Sequence, residues 1–435
     1  MQAAGTITSP ATRGVTLNAS GGTVDTNGNP VSIAGTISGA GSLTKISAGT
    51  LTLTGTNSYS GATNLNGGTV QANATAALGN GSATNTLIFN GGTTLQATGT
   101  ITSPATRGVT LNAGGGTVDT NGNPVSIAGA ISGTVSTSPL TKIGTGTLTL
   151  TGTNTYIGQT IITGGTLQAN ATGALGNGSA TNTLTFNGGT LQATGAIDSP
   201  TTRGVTLSGS GGTVDTNGQS VTIRGAISGN GSSLAKTGVG TLILTASNTY
   251  NGTTAVNQGG LLISGALTLT AGITVNSGAA LQIGAANALN DAAPVTLNAG
   301  TFNTGGLSET VSTLTLGTGV STLDVGTLSS VLHFADSHLN TWTGTLSITN
   351  WSGSFSGAGT DEVFIGASTA GLTAGQIAAI TFSNPQGLPA GTYNTRILST
   401  GEVLPIIPEP TAGALLLSAA GMLLMRRRRG WSEGL

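Results

Sequence analysis

Short runs of alternating polar and apolar residues recur along the first two thirds of the chain, as in GTLTLTG (49–55) and RGVTLN (13–18). A period of two sends alternate side chains to opposite sides of a strand. Leu, Val and Ile therefore point one way, and Thr or Ser the other. Gly-Gly, Asn-Gly and Asn-Pro signals interrupt the runs every 8 to 12 residues or so and read as turns. One coil of about 20 residues cannot bury its apolar side alone, but stacking like coils buries it against each neighbour. Identical turns then stack too, so Asn and Thr side chains are expected to form ladders along the axis. The expected fold class is all-β, a right-handed parallel β-solenoid (β-helix). A sandwich of sequential hairpins is the competing arrangement.

Internal repeats dominate residues 6–263. The stretch TITSPATRGVTLNASGGTVDTNGNPVSIAGTISG from Thr6 returns from Thr100 and, with changes, from Ala196. Its marker arginines, Arg13, Arg107 and Arg203, are spaced 94 and 96 residues apart. A second block begins at Leu43, Leu140 and Leu234, and its three copies align without a gap. It carries all the lysines (Lys45, Lys142, Lys236) and three of the four tyrosines (Tyr59, Tyr156, Tyr250). This block resembles the autotransporter-associated β-strand repeat of bacterial passenger domains, which implies a stacked β-architecture. The expected organisation is three solenoid units of about 95 residues over 1–263, then degenerate coils over 264–330. The repeated Lys and Tyr fall about five coils apart on a coil of about 20 residues. They read as structural punctuation rather than a binding ladder.

Composition changes near Val331. Residues 331–405 hold both histidines, two of the three tryptophans and four of the seven phenylalanines. Trp342 to Trp351 reads as one strand. Thr373 and Gln376 fit a capping box for a short helix, and two further strands are expected around Ile380 and Arg396. A small β-rich module here would cap the exposed edge of the solenoid.

The tail, 406–430, has three parts in order: Pro408, Glu409 and Pro410; an uncharged apolar run, 411–425; and Arg426, Arg427, Arg428 and Arg429. As a helix the apolar run spans roughly 22 Å, short of a hydrocarbon core of about 30 Å. Local thinning and snorkelling arginines make up the difference. The arginines are expected on the cytoplasmic side, as a stop-transfer cluster. The order of parts resembles the PEP-CTERM sorting signal of bacterial exopolysaccharide-associated proteins. That resemblance implies a C-terminal transmembrane sorting helix, an exosortase-type enzyme acting at Pro-Glu-Pro, and exopolysaccharide as a further partner. An ordinary tail anchor is the alternative.

With 74 Gly and 12 Pro but 37% hydrophobic and only 6% charged residues, the chain lacks the signature of disorder. Net charge is -1, and no basic stripe suggests nucleic acid as a partner. There is no Cys, hence no disulfide framework and no thiolate metal site. The N-terminus shows no basic n-region and no apolar h-region, and it begins partway into a repeat. A misplaced start or a gene fragment is the expectation.

Candidate chemistry is sparse. The recurring VDTNGN, at Asp25 and Asp119 and in part at Asp215 (Asp215, Asn217, Gly218), supplies one carboxylate per copy and no closing Glu, so an Asx-type turn explains it as well as a calcium loop does. His333 and His338 have an odd separation and would face opposite sides of a strand, which argues against a zinc site with Asp336. Asp361 and Glu362 are neighbours and point apart. No catalytic, metal or cofactor constellation is expected. The preferred reading is a non-catalytic structural or adhesive protein, exported to the cell surface or extracellular matrix. A polysaccharide-degrading enzyme on the same scaffold and a plain tail-anchored protein are the alternatives. An autotransporter passenger carrying its own translocator would need a terminal series of amphipathic strands, which residues after 330 do not contain.

Overall fold

The computed structural model describes residues 1–408. They wind into an all-β, parallel solenoid of right-handed type with about sixteen turns. A turn usually carries three short strands, so the stack has three faces. These begin with strands Ile7–Ser9, Val15–Thr16 and Gly22–Asp25. Register is kept from turn to turn: Val31 stands on Leu51, Leu51 on Val70 and Val70 on Leu95. These turns take between 19 and 25 residues, and the last ones lengthen to 31 (Leu332 on Val363) and 34 (Leu346 on Ile380). The longest continuous sheets have 11 strands each.

Alternation sets the core. In strand Thr93–Ala97 burial alternates residue by residue, and the same holds in Thr147–Leu150 and Ala279–Ile283. The inward Leu, Val and Ile columns merge into one core running from Ala3 to Leu404. Each buried aliphatic side chain contributes about 1.5–3 kcal/mol, and each is covered by the other faces of its own turn and by the turns on either side.

The repeat does not advance by whole turns. Lys45 lies on the third face, Lys142 on the first and Lys236 on the second. Consecutive copies are thus four and a third turns apart, rather than about five, and each is rotated by one face from the last. Corners absorb the difference. In the first two units a 3-10 turn, Thr75–Leu78 or Thr172–Leu175, replaces a strand, and its Ala-Leu pair is buried.

Near the C-terminus the direction changes. Strand Thr345–Thr349 lies parallel on Val320–Asp324, and Ile380–Ser383 lies parallel on Thr345–Thr349. Thr392–Ile397 then pairs antiparallel with Ile380–Ser383, and Val403–Pro405 antiparallel with Thr392–Ile397. The single strand expected from Trp342 to Trp351 is shorter, because Gly344 crosses a corner so closely that a Cβ would stand 1.9 Å from the Gly317 carbonyl oxygen. The short helix, Ala374–Ala378, has its capping box: Thr373 Oγ1 accepts from Gln376 N–H, and Gln376 Oε1 accepts from Thr373 N–H. Gln376 Nε2 also donates to the Ser337 and Asn340 carbonyls, at 2.9 Å each, pinning the helix to the preceding turn.

Among the described residues no helix is long and apolar enough to cross a membrane. Pro408 is exposed at their end. The expected sorting helix, with Glu409, Pro410, Arg426, Arg427, Arg428 and Arg429, lies outside the described residues.

Candidate functional site

The solenoid corners collect the polar residues that recur. In each VDTNG turn the Asp carboxylate accepts the N–H of the Asn two residues on, at 2.9 Å (Asp25–Asn27, Asp119–Asn121, Asp215–Asn217). That is an Asx turn, and the Asn takes a left-handed conformation, φ 46°, 44° and 46°. The free carboxylate oxygen is engaged as well. Asp119 Oδ2 accepts from Gln96 Nε2, and Asp215 Oδ2 from Gln192 Nε2, both at 2.6 Å. Among the described residues no three His, Cys, Asp or Glu side chains come together to hold a metal ion.

Each lysine sits beneath one of these corners, fully buried. Lys142 Nζ donates to the carbonyls of Ile143 (2.9 Å), Gly144 (2.8 Å) and Gly164 (3.0 Å). Lys45 and Lys236 repeat the arrangement. An ammonium has three donors, and here every one is spent on backbone from two adjacent turns. Burial pushes Lys142 and Lys236 down to about 8, against the opposing pull of Asp119 and Asp215. The tyrosines are equally internal, each hydroxyl sharing a proton with a Thr hydroxyl: Tyr59–Thr63 and Tyr156–Thr160 at 2.7 Å, Tyr250–Thr254 at 2.6 Å. Burial raises Tyr59 and Tyr156 to about 12. Arg107 and Arg203 are buried too. Their Nη2 groups reach the turn below, to Gly79 O and Asn85 Oδ1, and to Gly176 O and Asn182 Oδ1. Arg13 is exposed. Lys, Tyr and the two inner Arg act as corner posts, and none presents a functional group to a ligand.

Outward-facing amides form the ladders. Thr52 donates to Gln71, Gln71 to Gln96 and Gln96 to Asp119 on the first face. Thr149, Gln168, Gln192 and Asp215 repeat this chain on the second. Asn66, Asn90 and Asn112 form an Asn ladder linked by Nδ2–Oδ1 hydrogen bonds of 2.7 Å, and Asn257, Asn276 and Asn298 another. The Asn ladders follow from stacked turns. The Gln ladders were not foreseen, although the recurring Gln-Ala of TVQAN, TLQAT and TLQAN was the available signal.

Of the C-terminal candidates only Asp336 and His338 meet. His333 points outward and stacks on Phe364, centroids 4.5 Å apart, while His338 Nδ1 pairs with Asp336 at 2.5 Å. Asp361 faces inward, accepting from Ser330 N, Ser352 N and Ser352 Oγ; Glu362 faces the other way. One further carboxyl carries no motif in the sequence. Glu309 is buried and accepts the N–H groups of Ala288 (2.7 Å), Leu289 (3.1 Å) and Thr310 (3.0 Å). Burial, aided by Asp291 and opposed by those three bonds, raises it to about 7.

Residues 43–72, 140–169 and 234–263 match the model of the passenger-associated transport repeat. Over 278 residues the chain is 34% identical to the adhesin BmaC autotransporter of Brucella suis biovar 1 (strain 1330). That similarity covers 58% of this chain, and the chain spans about 8% of that protein's length. No solved structure matches.

Proposed function

We propose that this chain is a non-catalytic, adhesive surface protein, exported and associated with exopolysaccharide. The observation that carries the reading is the similarity to an autotransporter adhesin over 278 residues. The side chains support it. The lysines and two of the three marker arginines are buried inside the corners, and the faces offer Thr, Ser, Asn and Gln. Such faces suit weak contacts made many times over along a rod, where linkage multiplies affinity. Export would place the solenoid outside the cell. In this reading an exosortase-type enzyme cuts at Pro408, Glu409 and Pro410, with Arg426, Arg427, Arg428 and Arg429 held on the cytoplasmic side until release.

The test is the mass of the C-terminal peptide of the mature protein from its native host, with cells and matrix fractionated, alongside adhesion of cells with and without the gene. A terminus at 408–410 in the matrix and adhesion that falls with deletion are expected. An intact terminus at Leu435 in the membrane fraction ends the processing part. Unchanged adhesion ends the adhesive part.

A further inference from the structure

We infer that the outer corner of the last stacked rungs binds a neutral sugar residue, at Asn350, Asn384 and Gln386 beside the Trp351 indole. Three rungs build it. Asp324 stands on Thr349 and Thr349 on Ser383, so the turns that leave these strands stack as well. Between them lies a cavity of about 280 Å³, lined by Thr327, Asn350, Trp351, Ser352, Asn384 and Gln386 among others. That is just under the roughly 300 Å³ at which ordinary small-molecule pockets begin. It suits one ring of a glycan, not a larger ligand.

The lining chemistry selects the class. The two carboxylates nearest the groove are already spent. Asp324 accepts from Asn303, Asn350 and the Gly326 N–H. Asp361 accepts from Ser330 and twice from Ser352. What remains is carboxamide and hydroxyl, with no charge to meet a uronate, sulfate or phosphate. A carboxamide both donates and accepts, and so does every sugar hydroxyl.

The carboxamides are also held in place. Asn350 and Asn384 take the left-handed conformation, φ 59° and 49°. The Gly391 N–H donates to Asn384 Oδ1 at 2.8 Å, which orients that amide and leaves its Nδ2 for a ligand. Gln386 is exposed, and its backbone N–H is fastened to the Trp351 carbonyl at 2.9 Å. Trp351 is buried against Phe355 and Phe382 and makes a rigid wall for the groove. The corner cavity at Asp215, Asn217 and Gln258 has no such aromatic wall.

The full chain should be applied to an array of neutral hexose and N-acetylhexosamine oligosaccharides, with polyuronates and heparin as charged controls. A neutral glycan is expected to bind and to shift the Trp351 indole N–H resonance. The double variant Asn384→Gly/Gln386→Ala, in which glycine takes the left-handed conformation at 384 without strain, should weaken binding about tenfold through loss of its ligand hydrogen bonds. Binding of charged glycans only, of none, or equal binding by the double variant overturns the inference. The inference rests on the adhesive reading for its setting, and the two fail separately. If cells carrying the double variant adhere normally and its glycan binding is unchanged, the groove is wrong and adhesion stands. If the chain binds glycan through the groove but deletion of the gene leaves adhesion intact, the groove stands alone.

Discussion

At the scale of single residues, the interior of this solenoid is unusual in the polar groups it holds. Glu309 is the clearest case. Its carboxyl, raised to about 7 by burial, titrates near 4.3 in an unfolded chain. Between those values the folded chain binds the extra proton. The stability Glu309 contributes is therefore complete below about pH 4.3 and is lost as pH rises through about 7. Denaturation midpoints should fall between pH 5 and pH 7.5. Glu309→Gln keeps an acceptor for Ala288 and Leu289 and should flatten that slope, so an undiminished slope in the variant refutes the assignment. Lys142 and Lys236 carry the opposite sign, since their folded values near 8 lie below the unfolded value of about 10.4. Their contribution to stability rises with pH across that interval.

At the scale of the element, the corners are tighter than the strands. A Cβ on Gly129 would stand 1.8 Å from the Arg107 carbonyl oxygen; Gly35 and Gly225 meet Arg13 and Arg203 in the same way, at 1.9 Å. Backbone φ is not the constraint at these positions. The constraint is the approach of one turn to the next. Gly129→Ala should destabilise by about 1–3 kcal/mol, as overpacking does. Gly173→Ala is the control, because its Cβ would meet only Thr153 Cγ2 at 3.6 Å and the first unit carries Ala76 at the matching place. It should stay within about 0.5 kcal/mol of the parent. Thermal unfolding of the two variants decides, and equal midpoints would remove the close-approach argument.

For the whole molecule, the step of four and a third turns means that three copies place the same corner on three faces in succession. At about 4.8 Å per rung the copies lie about 21 Å apart along the axis. No face accumulates a column of identical corners, so the rod is much alike from every side. Removing residues 107–202 joins Thr106 to Arg203, and Arg203 finds the same surroundings that Arg107 had, since Asn85 corresponds to Asn182. The shortened chain should fold, with everything downstream rotated by one face and the rod about 21 Å shorter by solution scattering. Aggregation of that deletion, with an intact parent, would show that the faces are not interchangeable.

Much of this was written in local pattern. Period-two alternation determined the strands and which side of each is buried, because a pleated backbone leaves an alternating sequence no other way to hide its Leu and Val. Asn-Gly determined the Asx turns, and Thr373 with Gln376 determined the helix start, because both are bonds within a few residues. What the tertiary structure alone decided depends on length consumed at corners and on neighbours about 20 residues away. Coil counting put the copies about five coils apart because segments such as Thr75–Leu78 use up chain without a strand signature. The Gln71–Gln96–Asp119 ladder, the burial of Glu309 and the groove beside Trp351 arise only when successive turns are laid in register, and that register is set by stacking rather than by any residue taken alone.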